Sequence, residues 1–284
     1  MQTKHKETQK GPLQGKAQPP EPLGERRADI TPERLKQMLK EGAHNDIIRM
    51  RKPPIQVLIG ALGDEDEDIA QDVSRLLSEM VERKKNFDWS VHIDKLAEAM
   101  RGHGGMAHVY AAAIVAKIAF KHPEYDWSPV VPLLVEDARN GGAGDRARAI
   151  YALGNMGEVS AAPAIIEALK RENDSGPLGT AVRAEAVKAL ARISKRHPES
   201  PLFDAIPVML DAMVDENLDV RGHAGLWMKD MIGGHPEEVA SKIVELVNGR
   251  LGDELKEVNT RNGKLAAQIH RILLECAKGM EDAA

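Results

Sequence analysis

Apolar residues recur along this chain in short blocks with helical spacing, and the blocks come in pairs. The first members read PIQVLIGAL (54–62), HIDKLAEAM (92–100), PVVPLLVEDA (129–138), APAIIEALK (162–170), AIPVMLDAM (205–213) and ASKIVELV (240–247). The second members read IAQDVSRLLSEMV (69–81), MAHVYAAAIVAKIAF (106–120), DRARAIYALGNM (145–156), TAVRAEAVKALARI (180–193), DVRGHAGLWMKDM (219–231) and NGKLAAQIHRILLECA (262–277). A polar or Gly-rich turn separates the members of each pair, and no stretch alternates as a half-buried strand does. With Pro54, Asp94, Pro132, Pro163, Pro207 and Ser241 as equivalent positions, the repeat averages about 37 residues, in the range of stacked helix pairs. One pair is too small to bury its own apolar face, so neighbours must stack. The pattern predicts an all-α fold, an α-solenoid of about six stacked antiparallel helix pairs over residues 54–284.

Ahead of the array, Thr31 reads as an N-cap with Pro32 at the first helical position and Leu35, Met38 and Leu39 on one face. Residues 30–53 are therefore expected to form capping helices. Residues 1–29 hold six basic and four acidic residues among Gln, Pro and Gly, with almost nothing to bury. They are expected to be a disordered polar tail.

Three second helices carry an Arg in their first turn: Arg146, Arg183 and Arg221. Counting from it, the third, fourth, sixth and seventh residues are Ala149, Ile150, Ala152, Leu153; Ala186, Val187, Ala189, Leu190; and Ala224, Gly225, Trp227, Met228. At 100° per residue these positions share one arc, expected to be buried. The second, fifth and ninth positions point the other way: Arg148, Tyr151, Asn155; Glu185, Lys188, Arg192; and His223, Leu226, Asp230.

These Arg-led helices resemble the second helix of a HEAT repeat, most closely the short HEAT-like repeats of phycobilin lyases. In the second and last pairs Tyr110 and Asn262 stand where the Arg is expected. In a HEAT array the second helices line the concave surface. The resemblance thus implies that the nine outward residues form a floor for a partner. The Arg positions themselves read as a structural ladder between repeats in preference to a phosphate grip. Trp227 replaces Ala in its position, and Gly222 and Gly225 are expected to compensate its size.

Composition narrows the rest. Aromatic residues are 3% and the net charge is −5, which disfavours a nucleic-acid-coating protein. A single Cys, Cys276, excludes an internal disulfide framework and fits a reducing compartment. No apolar run approaches the ~20 residues that span a bilayer, and the N-terminus lacks a signal-peptide core, so a cytoplasmic location is expected.

His-Pro-Glu occurs at 122–124, 197–199 and 235–237, each time at the end of a second helix. Pro stops a helix, and His suits its unsatisfied carbonyls. Joints in successive repeats lie about 10 Å apart, far beyond zinc–nitrogen bonds of about 2 Å, so the triplets read as joints. His103 and His108 are five apart, no HExxH occurs, and no His precedes a Glu directly, as the His-Glu dipeptides of HEAT-like hydroxylases require. GDEDEDIAQD (63–72) has Ile69 and Arg75 where a calcium loop needs Gly and Glu; it reads as a turn with Asp68 capping the next helix. GGAGD (141–145) and NDSGPLGT (173–180) lack GxxxxGK[ST]. Cys276 shares an apolar face with Leu265, Ile269, Ile272 and Leu273, as a core thiol does.

No catalytic residue, metal or cofactor is expected. The reading is a non-catalytic scaffold that presents a helical surface to a protein or peptide partner, with no membrane and with nucleic acid disfavoured. The alternatives are a HEAT-like enzyme of bilin lyase or DNA glycosylase type, or a nucleic-acid-binding array.

Overall fold

Fourteen helices run through the described parts of the chain, and no strand occurs among the described residues. The structure, a computed structural model, describes residues 30–102, 105–248 and 261–283. Helices α1 (Pro32–Lys40) and α2 (His44–Arg49) precede six pairs. The pairs are α3 (Ile55–Gly60) with α4 (Glu67–Arg83), α5 (Ile93–Gly102) with α6 (Met106–Lys121), and α7 (Val131–Asn140) with α8 (Ala143–Met156). Then follow α9 (Ala162–Arg171) with α10 (Pro177–Arg196), α11 (Ile206–Ala212) with α12 (Leu218–Gly234), and α13 (Pro236–Leu246) with α14 (Arg261–Ala283).

The first helices pack in chain order, α3 on α5, α5 on α7, α7 on α9, α9 on α11 and α11 on α13. The second helices do the same from α4 to α14, and α1 and α2 cover the start of the stack. The result is the two-layer α-solenoid that the apolar pairing predicts. Residues 1–29, expected as a polar tail, lie outside the described residues.

The apolar arc explains why these helices pack. All twelve arc positions on α8, α10 and α12 are buried except Gly225, which is half-buried. One continuous core runs from Leu35 to Cys276. Small residues bring the helices close: a Cβ on Gly154, just past the arc, would lie 2.6 Å from the Ala189 Cα of the neighbouring helix. Helix α6 is apolar nearly all round because α4, α5 and α8 surround it.

The joints are built alike. His122, His197 and His235 cap α6, α10 and α12 with φ of −132°, −126° and −144°, and each donates its backbone N–H into the last turn. His122 and His197 also meet Glu124 and Glu199 of their own triplets, at 3.2 and 3.0 Å. In the third triplet Pro236 starts α13 at once, and Glu237 lies in its first turn.

A second recurring joint is the run Phe87-Asp88-Trp89-Ser90 and its repeat Tyr125-Asp126-Trp127-Ser128. Asp88 and Asp126 accept from the Ser90 and Ser128 amides, each at 3.0 Å, while Trp89 and Trp127 are buried. The turn at 63–72 differs from expectation in its cap. Asp66, not Asp68, is the N-cap of α4, and Asp68 sits in the first turn. Asp64 fixes the turn by accepting from the Asp66 amide at 3.1 Å while Lys36 approaches it at 2.6 Å.

Candidate functional site: a second-helix face and the ladder behind it

Eight of the nine outward residues keep some exposure; Asn155 does not. Arg148, Tyr151, Glu185, Lys188, Arg192 and His223 are half-buried, and Leu226 and Asp230 are exposed. Asn155 is only 6% exposed, and its Nδ2 has no hydrogen-bond partner. The correction has a physical reason. Gly154 lets α10 approach so closely that the last turn of α8 is covered, and Arg196 of α10 donates to the Asn155 carbonyl.

The centre of the face is a chain of contacts over three consecutive second helices. Phe120 of α6, 62% exposed, stacks on Tyr151 of α8 with ring centroids 6.4 Å apart and planes at 20°. The Arg192 guanidinium of α10 lies 5.3 Å from the Tyr151 ring centroid. Lys188 and Arg192 both approach Glu185, at 3.4 and 3.8 Å, and Arg148 meets Asp145 at 2.7 Å. Leu226, 61% exposed, continues the face on α12.

Behind this face runs a ladder of arginine contacts, two of them ion pairs. Arg146 donates to the Gly141 carbonyl of its own pair and reaches Glu172 at the end of α9. Arg183 repeats the pattern, donating to the Asp174 carbonyl and, through Nε at 2.8 Å, to Asp215 after α11. Arg221 donates to the Asp215 and Glu216 carbonyls. Arg146 and Arg183 thus tie their own inter-helix turn to that of the next pair, while the described bonds of Arg221 stay within its own turn. Glu172 and Asp215 also hold the following turns, accepting from the Asp174 and Asn217 amides.

In the α5–α6 pair the rung is His108, not Tyr110. His108 Nδ1 donates to the Met100 carbonyl at 2.8 Å, and Nε2 meets the Asp137 carboxylate at 2.8 and 2.9 Å. Counted from His108, the four arc positions are Ala111, Ala112, Ile114 and Val115, all buried. Counted from Tyr110, the seventh position is Lys117, which is exposed. The apolar arc therefore carried a signal for the right register. The outward positions of α6 become Tyr110, Ala113 and Lys117, with Phe120 one turn on. The Asn262 position of α14 has no described side chain.

Burial works against a charged His108 ring, but its bonds to the Met100 carbonyl and Asp137 outweigh that and hold its pKa above the ordinary imidazole value. Burial pushes the Asp137 carboxyl up, and His108 draws it part of the way back.

Trp227 is interior, 2% exposed, with Nε1 donating to Ser194 Oγ at 2.8 Å. Gly222 and Gly225 do not make room for it: a Cβ on either meets nothing within 4 Å. Ser194, a small residue on α10, is the observed neighbour. Cys276 is fully buried, and burial raises its thiol pKa.

Among the described residues no three His, Cys, Asp or Glu side chains are arranged to hold a metal ion, and no helix is long and apolar enough to cross a membrane. Two open grooves, of about 480 and 380 Å³, lie by Phe203 and Glu237 and by Trp127 and Met156, away from the Phe120–Tyr151–Arg192 surface.

Known proteins bear on this architecture. Residues 145–171, from the start of the Arg146 helix through α9, match the family model described as PBS lyase HEAT-like repeat. The fold resembles two crystal structures of engineered proteins from the Northeast Structural Genomics Consortium. One is 18% identical with a TM-score of 0.50, covering 80% of this chain and 98% of the other. The second is 20% identical with a TM-score of 0.52, covering 89% of this chain and 64% of the other. At these identities the likeness concerns the fold alone. No curated protein matches the sequence. The chain thus carries a HEAT-like repeat at residues 145–171, set within an α-solenoid of similar helix pairs stacked on either side of it.

Proposed function

We propose that the chain is a non-catalytic scaffold that binds a protein or peptide partner on its second-helix face, the inner wall of the solenoid, in the cytoplasm. The observation that carries this is the continuous Phe120–Tyr151–Arg192 surface, which keeps a large ring exposed on α6 beside a half-buried Tyr and Arg. Tyr and Arg are favoured interface anchors, because they bury large area and keep a polar end for hydrogen bonds. The surface is open, a form that suits a macromolecule better than a small molecule, which favours an enclosed pocket. The single buried Cys supports the cytoplasmic assignment.

The test is affinity capture from native extract, with partners identified by mass spectrometry, using the wild type and a Tyr151→Ala, Lys188→Ala, Arg192→Ala variant of matched helicity. A partner retained by the wild type and reduced about tenfold or more by the variant is expected. Equal capture of the same partner by both would overturn the reading.

A further inference from the structure

The chain as a whole is acidic, at −5, yet the face over α6, α8 and α10 gathers Lys117, Arg148, Lys188 and Arg192. The carboxylates around them are all engaged: Asp145 meets Arg148 at 2.7 Å, Glu185 is shared between Lys188 and Arg192, Asp137 acts on Arg148 but is bonded to His108, and Glu82 acts on Lys117 but pairs with Lys121 at 2.7 Å. Lys117 is exposed one turn from Phe120, on the same side of α6. With Lys121 and the protonated His108 included, positive charge exceeds negative around the Phe120–Tyr151 stack, which bridges two second helices.

We infer that this face takes an acidic peptide segment in extended form. Its carboxylates meet Lys117, Arg148 and the Lys188–Arg192 pair, and an aliphatic or aromatic side chain lies over Phe120 and Tyr151. The inference rests on the reading of this face as the binding surface and adds the chemistry of the partner. The spacing fits such a ligand. Packed helices lie about 10 Å apart, and a polyproline II chain advances about 3.1 Å per residue with three residues per turn, so carboxylates three residues apart face the same way and meet successive helices. A single-stranded nucleic acid fits less well. Its phosphates bring charge at closer intervals than this face supplies cations, and the acidic body repels a polyanion. A basic peptide would meet the same cations and be repelled.

The probe is a fluorescein-labelled peptide of about twelve extended residues, with Asp at every third position, Leu between and Ser elsewhere, followed by fluorescence anisotropy on the full chain. Companions are the same peptide with Asn for Asp, the same with Lys for Asp, and an oligothymidylate of similar length. The acidic peptide is expected to saturate, to bind about tenfold or more tighter than the Asn version, and to weaken as salt rises. Lys117→Glu, an exposed position, is expected to reduce its affinity about tenfold with unchanged circular dichroism. Equal binding of the Asn peptide, tighter binding of the oligothymidylate, or no saturable binding of the acidic peptide would each overturn the inference. If Tyr151-dependent capture of an extract partner persists while the acidic peptide fails, the partner chemistry is wrong and the binding face stands. If both fail, both are wrong.

Discussion

His108 and Asp137 form an ion pair between consecutive repeats, with Nε2 at 2.8 Å from Oδ2, while the other ring nitrogen donates to the Met100 carbonyl. Both nitrogens face acceptors, so the pair is complete only when the ring is protonated. Asp145 adds its charge to the same effect, and Arg148 acts on Asp137 from the α8 side.

The sign of the pH dependence follows. The folded-state pKa of His108 lies above its ordinary value, so its contribution is full below about 6.5 and is lost as pH rises through the folded value. Asp137, also raised, favours its protonated form in the folded state and adds a term of the same sign in more acidic solution. The stability advantage of the wild type over His108→Gln is expected to be about 1 kcal/mol larger at pH 6 than at pH 9. Thermal denaturation of both proteins across that range measures it. An advantage that grows toward alkaline pH would mean that His108 is held neutral.

The Arg183–Asp215 rung is expected to be a strong structural link. Both side chains are below a tenth exposed, and Asp215 also holds the Asn217 amide. Asp215→Ala leaves a buried guanidinium with a lost partner, which costs about 3–5 kcal/mol. The double change Arg183→Met, Asp215→Leu removes both charges and should recover much of that loss. Denaturant unfolding, with hydrogen exchange on α10 and α12 to localise the effect, distinguishes a repeat junction from a general loss of packing.

Glycines in the second helices divide into two groups with opposite responses. Gly154 faces the Ala189 backbone, and an added methyl at 2.6 Å must force α8 and α10 apart. Gly154→Ala is expected to destabilise by about 1–3 kcal/mol. Gly222 and Gly225 lie in α12 with nothing within 4 Å of an added Cβ. Changing either to Ala is expected to stabilise by about 0.5–1 kcal/mol, since only the helix entropy term changes. Melting temperatures of the three variants decide both signs.

These contrasts show what the sequence could reveal. The twelve-position arc was readable because burial along a helix depends on a 100° repeat that side-chain type reports directly. The Arg rungs were readable as a ladder, but their acceptors were not, since Glu172 and Asp215 lie in turns whose geometry sequence spacing does not define. The His108 rung was missed because a residue type, Arg, was sought in place of the apolar arc that locates the position. The two Trp-centred joints were missed as well, although the duplicated aromatic-Asp-Trp-Ser run was in plain view. Asn155 was misplaced because its angle on α8 is right but its depth depends on α10, and depth is a tertiary quantity that periodicity does not carry.

That last distinction yields a test of the binding face itself. Tyr151 and Asn155 are one turn apart on α8 and share an outward angle, yet only Tyr151 retains exposure. If partners meet this face, Tyr151→Ala should reduce capture of the identified partner about tenfold or more. It should cost only about 1 kcal/mol of stability, the worth of its stack on Phe120 and its contact with Arg192. Asn155→Ala should leave capture within about twofold, because its side chain lies beneath α10. Its stability should change little, since the Nδ2 it removes has no partner, and burying such a group costs about 1–3 kcal/mol. Capture titrations beside thermal melts measure both quantities for each variant. A loss of capture for Asn155→Ala equal to that for Tyr151→Ala would place binding elsewhere, because a side chain without solvent access cannot touch a partner unless α8 and α10 separate.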